Sequence, residues 1–208
     1  MHFFLLFPFI ISLLNCADNY AVLVSGSKGY VNYRHQSNIF HTYQTLISKG
    51  MNPDNIIVMA YNDIANNTNN PFKGQIFNKP NGANVYENIR IDYSGADVTP
   101  TNFVHVLYGD AKSLKGIGTG RALQSTQEDN VFLFFDDHGA DGVLAFPNEL
   151  LFEEELSEIL RLINHYKKYK HLIFYVEACS SGSLFEDMSL QDNIYVVTSA
   201  MAGESSYG

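Results

Sequence analysis

Two cysteines in 208 residues permit one disulfide at most, and neither stands in a C-x-x-C or other zinc-type spacing. A disulfide-stapled scaffold and a zinc module are therefore excluded. Basic residues are also few. Thirteen Lys and Arg against 22 Asp and Glu leave a formal charge of −9, which repels phosphate backbones and provides no basic face for nucleic acid. The N-terminal apolar run, residues 3–14, is too short to cross a bilayer, which needs about 20 apolar residues as a helix. Gly26-Ser27-Lys28-Gly29 lacks the spacing of a Walker A loop, no Gly-x-Gly-x-x-Gly follows the first apolar run, and Gly116-Ile117-Gly118-Thr119-Gly120 opens no helix; both glycine clusters read as plain loops. The seven histidines show no His-Glu-x-x-His pattern, so neither a metal nor any other cofactor is expected.

What the chain does contain suits one globular domain. Hydrophobic residues make up 46% of it, with 15 Phe and 13 Tyr, enough to bury a full-size core. The apolar run at 3–14, followed by Asn15, Cys16 and Ala17 before the first acid at Asp18, reads as a signal peptide covering residues 1–17. A buried first strand or an uncleaved anchor is the plainer alternative. Cleavage would remove Cys16 and leave Cys179 as the lone thiol. Asn66-Asn67-Thr68 is a glycosylation sequon, in keeping with a secretory route and with no membrane insertion after the signal is cut.

Residues 19–25, 56–60, 131–135, 172–176 and 194–198 are short apolar runs bounded by turn residues and read as buried strands. Helical spacing spans 34–49 and 151–169, and Thr99-Pro100 opens another helix with Thr99 as N-cap. Residues 62–84, rich in Asn, Pro and Gly, form a long loop. Apolar strands alternating with amphipathic helices predict an α/β fold, a mostly parallel sheet covered on both faces.

In such sheets sites lie beyond the carboxyl ends of the strands. Three ends carry reactive types: Asn32, Arg34 and His35 after the first, Asp136-Asp137-His138-Gly139 after the third, and Glu177-Ala178-Cys179-Ser180 after the fourth. A thiol is only a few per cent thiolate near neutrality, and an imidazole that takes its proton and returns it to a leaving amine makes it a nucleophile. Backbone N–H groups at Gly139 and Cys179 could receive the oxyanion of acyl transfer. Plainer readings stand beside this one: Cys179 as a packing residue, His138 as a solvated loop residue, Asp136 and Asp137 as a solvated turn.

Asn32-Tyr33-Arg34-His35-Gln36, Asn78-Lys79-Pro80-Asn81-Gly82, Asp92-Tyr93-Ser94-Gly95-Ala96-Asp97-Val98-Thr99-Pro100, Asp137-His138-Gly139, Glu177-Ala178-Cys179-Ser180-Ser181-Gly182 and Glu204-Ser205-Ser206-Tyr207 together resemble the legumain family of asparaginyl endopeptidases. The likeness is colinear and makes residues 18–208 a peptidase domain. It implies a caspase-like three-layer α/β/α sandwich and a lysosomal, vacuolar or secreted cysteine endopeptidase cutting after Asn, and after Asp at lower pH. Carried over, Cys179 is the nucleophile, His138 the base, Asn32 its orienting group, and Gly139 and Cys179 the oxyanion donors. Asp137 matches the family's modifiable aspartate. Arg34, His35, Glu177, Ser205 and Ser206 would line the pocket for the substrate side chain, whose amide needs both donors and an acceptor.

Asp136 departs from the neutral residue usual in the family, and Ser180 from its usual acid. The family also continues through a further strand with an acidic pocket residue, an activation segment and a capping prodomain, so the peptidase domain reads as truncated at its C-terminal side. Expected partners are protein and peptide substrates, with a prodomain or cystatin-type inhibitor by resemblance. Two alternatives remain: a catalytic subunit like that of the glycosylphosphatidylinositol-anchor transamidase, and an inactive fragment that only binds peptides.

Overall fold

The five apolar runs pair as one parallel sheet. A computed structural model describes residues 17–207; the expected signal segment at 1–17 and Cys16 lie almost wholly outside the described residues. The large sheet comprises β1 (Asn19–Ser25), β2 (Ile56–Ala60), β3 (Asn130–Asp136), β7 (His171–Glu177) and β8 (Ile194–Thr198), ordered β2-β1-β3-β7-β8. Every neighbouring pair is parallel. The order reverses between β1 and β3, so the crevice at their carboxyl ends is the place where an open α/β sheet binds ligands.

Three helices cover it. α1 (Tyr33–Ser48) buries Ile39, Phe40 and Tyr43 with Ala21 and Leu23 of β1 and Val58 of β2. Gly50, at φ 88°, takes the left-handed turn that ends it. α2 (Pro100–Tyr108) and α3 (Glu153–His165) lie on the opposite face, where Phe103, Leu107, Leu156, Ile159 and Ile163 join Val22, Val24, Leu133, Phe135 and Phe174. Thr99 caps α2 as its sequence predicts: its Oγ1 accepts from Asn102 N–H at 3.1 Å, Pro100 follows at the first helical position, and Gly109 at φ 74° closes the helix. Three acids, Glu153, Glu154 and Glu155, open α3 where the helix dipole favours them, and Glu155 also accepts from Phe152 N–H at 3.0 Å.

The three-layer α/β/α expectation holds, with two corrections. The helix expected over 151–169 is shorter at both ends: Leu150–Phe152 are taken as a strand, β6, and the helix stops at His165, with Lys167 just beyond it at φ 52°. With β4 (Gly139–Ala140) and β5 (Val143–Ala145), β6 makes a small antiparallel sheet ordered β4-β5-β6 just beyond His138. Strands of two or three residues are too short to show alternation. Nor is the large sheet covered throughout by the described residues. On the α1 side a single helix spans β1 and β3, leaving Ile173, Tyr175, Tyr195 and Val197 of β7 and β8 exposed.

Candidate functional site

β1, β3 and β7 end side by side, with Ser25 in register with Asp136 and Asp136 with Glu177. Each strand delivers its polar residues to the same rim. From β3 the Asp137 amide donates to the Glu177 carbonyl at 3.0 Å, and the chain turns back through His138 into β4. Gly139 sits so tightly against the cysteine loop that a Cβ there would lie 2.5 Å from the Cys179 carbonyl oxygen and 3.0 Å from Ala178 Cβ. The histidine loop and the cysteine loop are thus packed backbone to backbone.

His138 is exposed, but its ring leans edge-on against His35 with centroids 4.9 Å apart. Its Nε2 lies 2.8 Å from Asn32 Oδ1. The direction of that bond is fixed by the other end of the amide, because Asn32 Nδ2 donates to the Lys28 carbonyl at 2.8 Å. Oδ1 is left to accept, so Nε2 carries the hydrogen and Nδ1 keeps its lone pair. Burial, with help from His35 and Arg34 and against the pull of Asp137, holds the His138 pKa below its usual 6.5. The neutral form, the one able to take a proton, persists into more acid solution.

Asn32 stands at the N-cap position of α1 and makes no capping bond there. Asn is a favoured cap because its side chain serves the first free N–H groups; here the amide is spent on Lys28 and His138 instead.

His35 is 1% exposed. Its Nδ1 lies 2.7 Å from Ser27 Oγ and 2.9 Å from Asp137 Oδ1. Among the described residues His35, Asp137 and His138 bring three ligand-type atoms within 4.8 Å of one another. His35 Nδ1 is met by Ser27 Oγ and His138 Nε2 by Asn32 Oδ1, while His35 Nε2 and Asp137 Oδ1 are buried with no hydrogen-bond partner among the described residues. Asp136 and Asp137 are both buried, at 0% and 3% exposure, which removes the solvated-turn reading.

Cys179 is a half-buried free thiol. Ser180 directly after it adopts φ 53°, a left-handed conformation that a non-glycine residue rarely takes. Surrounding bonds hold it there: Ser180 N–H donates to the Glu204 carbonyl at 2.7 Å, and Ser183 Oγ to the Ser180 carbonyl at 2.7 Å. The segment after β8 is laced to this loop, with Gly182 N–H on the Ala200 carbonyl at 2.9 Å. It brings Ser206 beside both groups of interest: its hydroxyl donates to Glu177 Oε1, and its carbonyl is 4.0 Å from Cys179 Sγ. Ser205 is exposed. Arg34 is half-buried on the first turn of α1. Asn66 is exposed in the long loop.

A cavity of about 260 Å³ opens between α1 and the sheet, lined by Asn38, Asp136, Tyr175, Glu177, Val197 and Ser199 among others. A larger opening of about 610 Å³, lined by Phe72, Lys79 and Pro80, touches none of the expected site residues.

Several supporting residues carry no sequence signal. Ser27 and Lys28, in the loop read as plain, hold His35 and Asn32. Asp63 accepts from Gly29 N–H at 2.6 Å and Gln36 Nε2 at 2.8 Å, anchoring the turn that carries Asn32. No spacing rule links position 63 to position 29. Gly26 has a steric role: a Cβ there would stand 2.3 Å from the Ala145 carbonyl oxygen and 2.6 Å from Asp137 Oδ2. Gly26→Ala is therefore expected to destabilise the fold by about 1–3 kcal/mol, measured by chemical unfolding; unchanged stability would show that β5 and Asp137 yield freely.

These features define a class: an α/β/α protein that sets a free thiol and an oriented, neutral imidazole on packed loops at neighbouring strand ends. Residues 19–208 match the Peptidase C13 family, and the chain belongs to it. It is 47% identical over 189 residues to legumain of Bos taurus, covering 91% of this chain and 44% of that protein. Hemoglobinase of Schistosoma japonicum is 44% identical over 189 residues, with 90% and 44% covered. The vacuolar-processing enzyme beta-isozyme of Arabidopsis thaliana is 46% identical over 191 residues, with 91% and 39% covered. The chain thus spans less than half the length of these relatives. No helix among the described residues is long and apolar enough to cross a membrane.

Proposed function

We propose that the chain is the catalytic portion of a cysteine endopeptidase that cuts after Asn. The observation that carries this reading is the Asn32-fixed tautomer of His138 on a loop packed against that of Cys179. In the reaction His138 Nδ1 takes the thiol proton as Cys179 Sγ attacks the scissile carbonyl. The oxyanion forms at the backbone N–H groups of Gly139 and Cys179. His138 then returns the proton to the leaving amine, and water hydrolyses the thioester by the same relay. Asn32 is a positioning residue. Because it does not cap α1, Asn32→Ala should lower kcat more than about tenfold while changing stability by less than about 1 kcal/mol. Equal losses of stability and rate would make Asn32 merely structural.

The pocket assignment follows the chemistry of an asparagine side chain. Arg34 supplies a donor for its carbonyl, Glu177 an acceptor for its amide, and Ser205 and Ser206 belong to the segment forming the wall. His35, expected beside Arg34 as a second donor to that carbonyl, is buried against Asp137, the family's modifiable aspartate, and we infer that it supports the pocket from below. Substrates are proteins and peptides; a capping prodomain or cystatin-type inhibitor follows from the resemblance. The secretory pathway, ending in lysosome, vacuole or outside the cell, fits the signal-like segment, the exposed Asn66 sequon and the vacuolar relative's name.

Matched peptides with Asn, Asp or Ala at the cleaved position, assayed from about pH 4 to 8, test the reading. The lowered pKa of His138 places the acid limb below pH 6.5. An Asp side chain enters beside Glu177 only when protonated, since two carboxylates in one desolvated site raise a pKa until one takes a proton. The Asp/Asn rate ratio should rise as pH falls. A flat ratio would contradict the pocket, and no cleavage of any peptide would contradict the activity.

A further inference from the structure

Asp136 is a fully buried acid that the proposed mechanism does not use. It is the last residue of β3, and it lines the cavity of about 260 Å³ together with Glu177 and Asn38. One of its oxygens is accounted for: Asn38 Nδ2 donates to Oδ2 at 2.8 Å, while Asn38 Oδ1 accepts from Asn78 Nδ2 at 2.8 Å. This chain fixes the Asn38 amide, and with it the end it presents to Asp136. The other oxygen, Oδ1, is buried with no partner, and so is the hydroxyl of Ser25, its register neighbour on β1.

A carboxylate left half unsatisfied in such a place is strongly disfavoured, whereas a carboxylic acid has a hydroxyl donor to offer. The charged groups facing it are Arg34 on α1, Glu177 on β7 and Asp137 next along the chain. Ser25 on β1 and Thr198 and Ser199 at the end of β8 are uncharged.

Resting on the reading of this site as an Asn-selective peptidase, we propose that Asp136 is a specificity-determining residue whose carboxyl must stay protonated for the pocket to recognise Asn. Neutral Asp136 leaves Arg34 and Glu177, the two charges that meet the substrate, turned to its amide, with Asp137 set against His35. Ionised Asp136 adds a further anion behind them. Arg34 then pairs with it across the α1–β3 gap, and the donor for the substrate carbonyl is withdrawn. Burial raises the Asp136 pKa to about 8, with Glu177 adding to the rise and Asn38 and Arg34 opposing it, so the change falls at the alkaline edge of the working range.

The test compares kcat/KM for matched Asn and Ala peptides from pH 6 to about 9.5, on the chain and on Asp136→Asn, whose amide keeps the size of the acid but cannot ionise. In the unaltered chain the Asn/Ala selectivity should fall about tenfold per pH unit above the Asp136 pKa, through KM for the Asn peptide. In Asp136→Asn the same ratio should stay level across the range. A ratio that is level in both, or that falls equally in both, would overturn the proposal while leaving the peptidase intact. If neither peptide is cut by the unaltered chain at any pH, the peptidase reading itself fails.

Discussion

Cys179→Ala should lose peptide hydrolysis by more than about a thousandfold and keep its fold. The first half follows from the chemistry: the thioester needs a sulfur, and Cys179 is the one free thiol among the described residues. The second half follows from position. The thiol is half-buried, and its single polar contact, to the Ser206 carbonyl, is long at 4.0 Å, so deletion of one sulfur should cost no more than about 1 kcal/mol. The loop geometry is set elsewhere, by Ser180, Ser183, Glu204 and Ala200. Turnover of Asn peptides and chemical unfolding of both proteins check the two halves. Residual turnover above a hundredth of the original would remove Cys179 as nucleophile, and a large stability loss would make it a core residue.

A second large effect is expected in the pH dependence of stability. An acid whose folded pKa stands near 8, against about 3.9 in the unfolded chain, binds its proton more tightly when folded. Between those values the native state therefore carries the extra proton, and stability falls as pH rises through the window, levelling above it. From pH 5 to 8 the loss attributable to Asp136 is on the order of 4 kcal/mol. Asp136→Asn should remove that component, so the two unfolding curves diverge as pH rises, the variant becoming the more stable of the pair. Curves that run parallel would mean that Asp136 is ionised in the native protein at pH 5.

The parts of the fold carried by long-period patterns were legible in the sequence. β1, β2 and β8 fall at their expected residues, α1 is displaced by one residue, and Thr99-Pro100 caps α2. These depend on local hydrophobic spacing and cap chemistry, which a sequence displays directly. The β4-β5-β6 sheet escaped because its strands are too short for a period. The exposed apolar side chains of β7 and β8 escaped for a different reason. An unbroken run such as 172–176 predicts burial on both sides, and among the described residues helices pack on only one of them at β7 and β8.

The site divides along similar lines. Strand ends bearing a histidine and a cysteine were visible because topology alone brings carboxyl ends to one rim. The three-dimensional supports were not. Asp63, Ser27 and Asn38 act across 34, 8 and 98 residues of chain, and no periodicity connects such positions. Asp136 shows the limit most clearly, since a doubled acid ordinarily marks a solvated turn and here marks the buried end of a central strand.

The central claim is that Cys179 is a nucleophile addressed through an asparagine pocket, and a peptide electrophile tests it most directly. The chain is treated at acid pH with a thiol-reactive peptide probe ending in Asn, in parallel with one ending in Ala, and the adduct is mapped by mass spectrometry. The account predicts one adduct, on Cys179, formed much faster with the Asn probe and lost in His138→Ala. An adduct formed equally with both probes, placed on another residue, or undiminished in His138→Ala would contradict it.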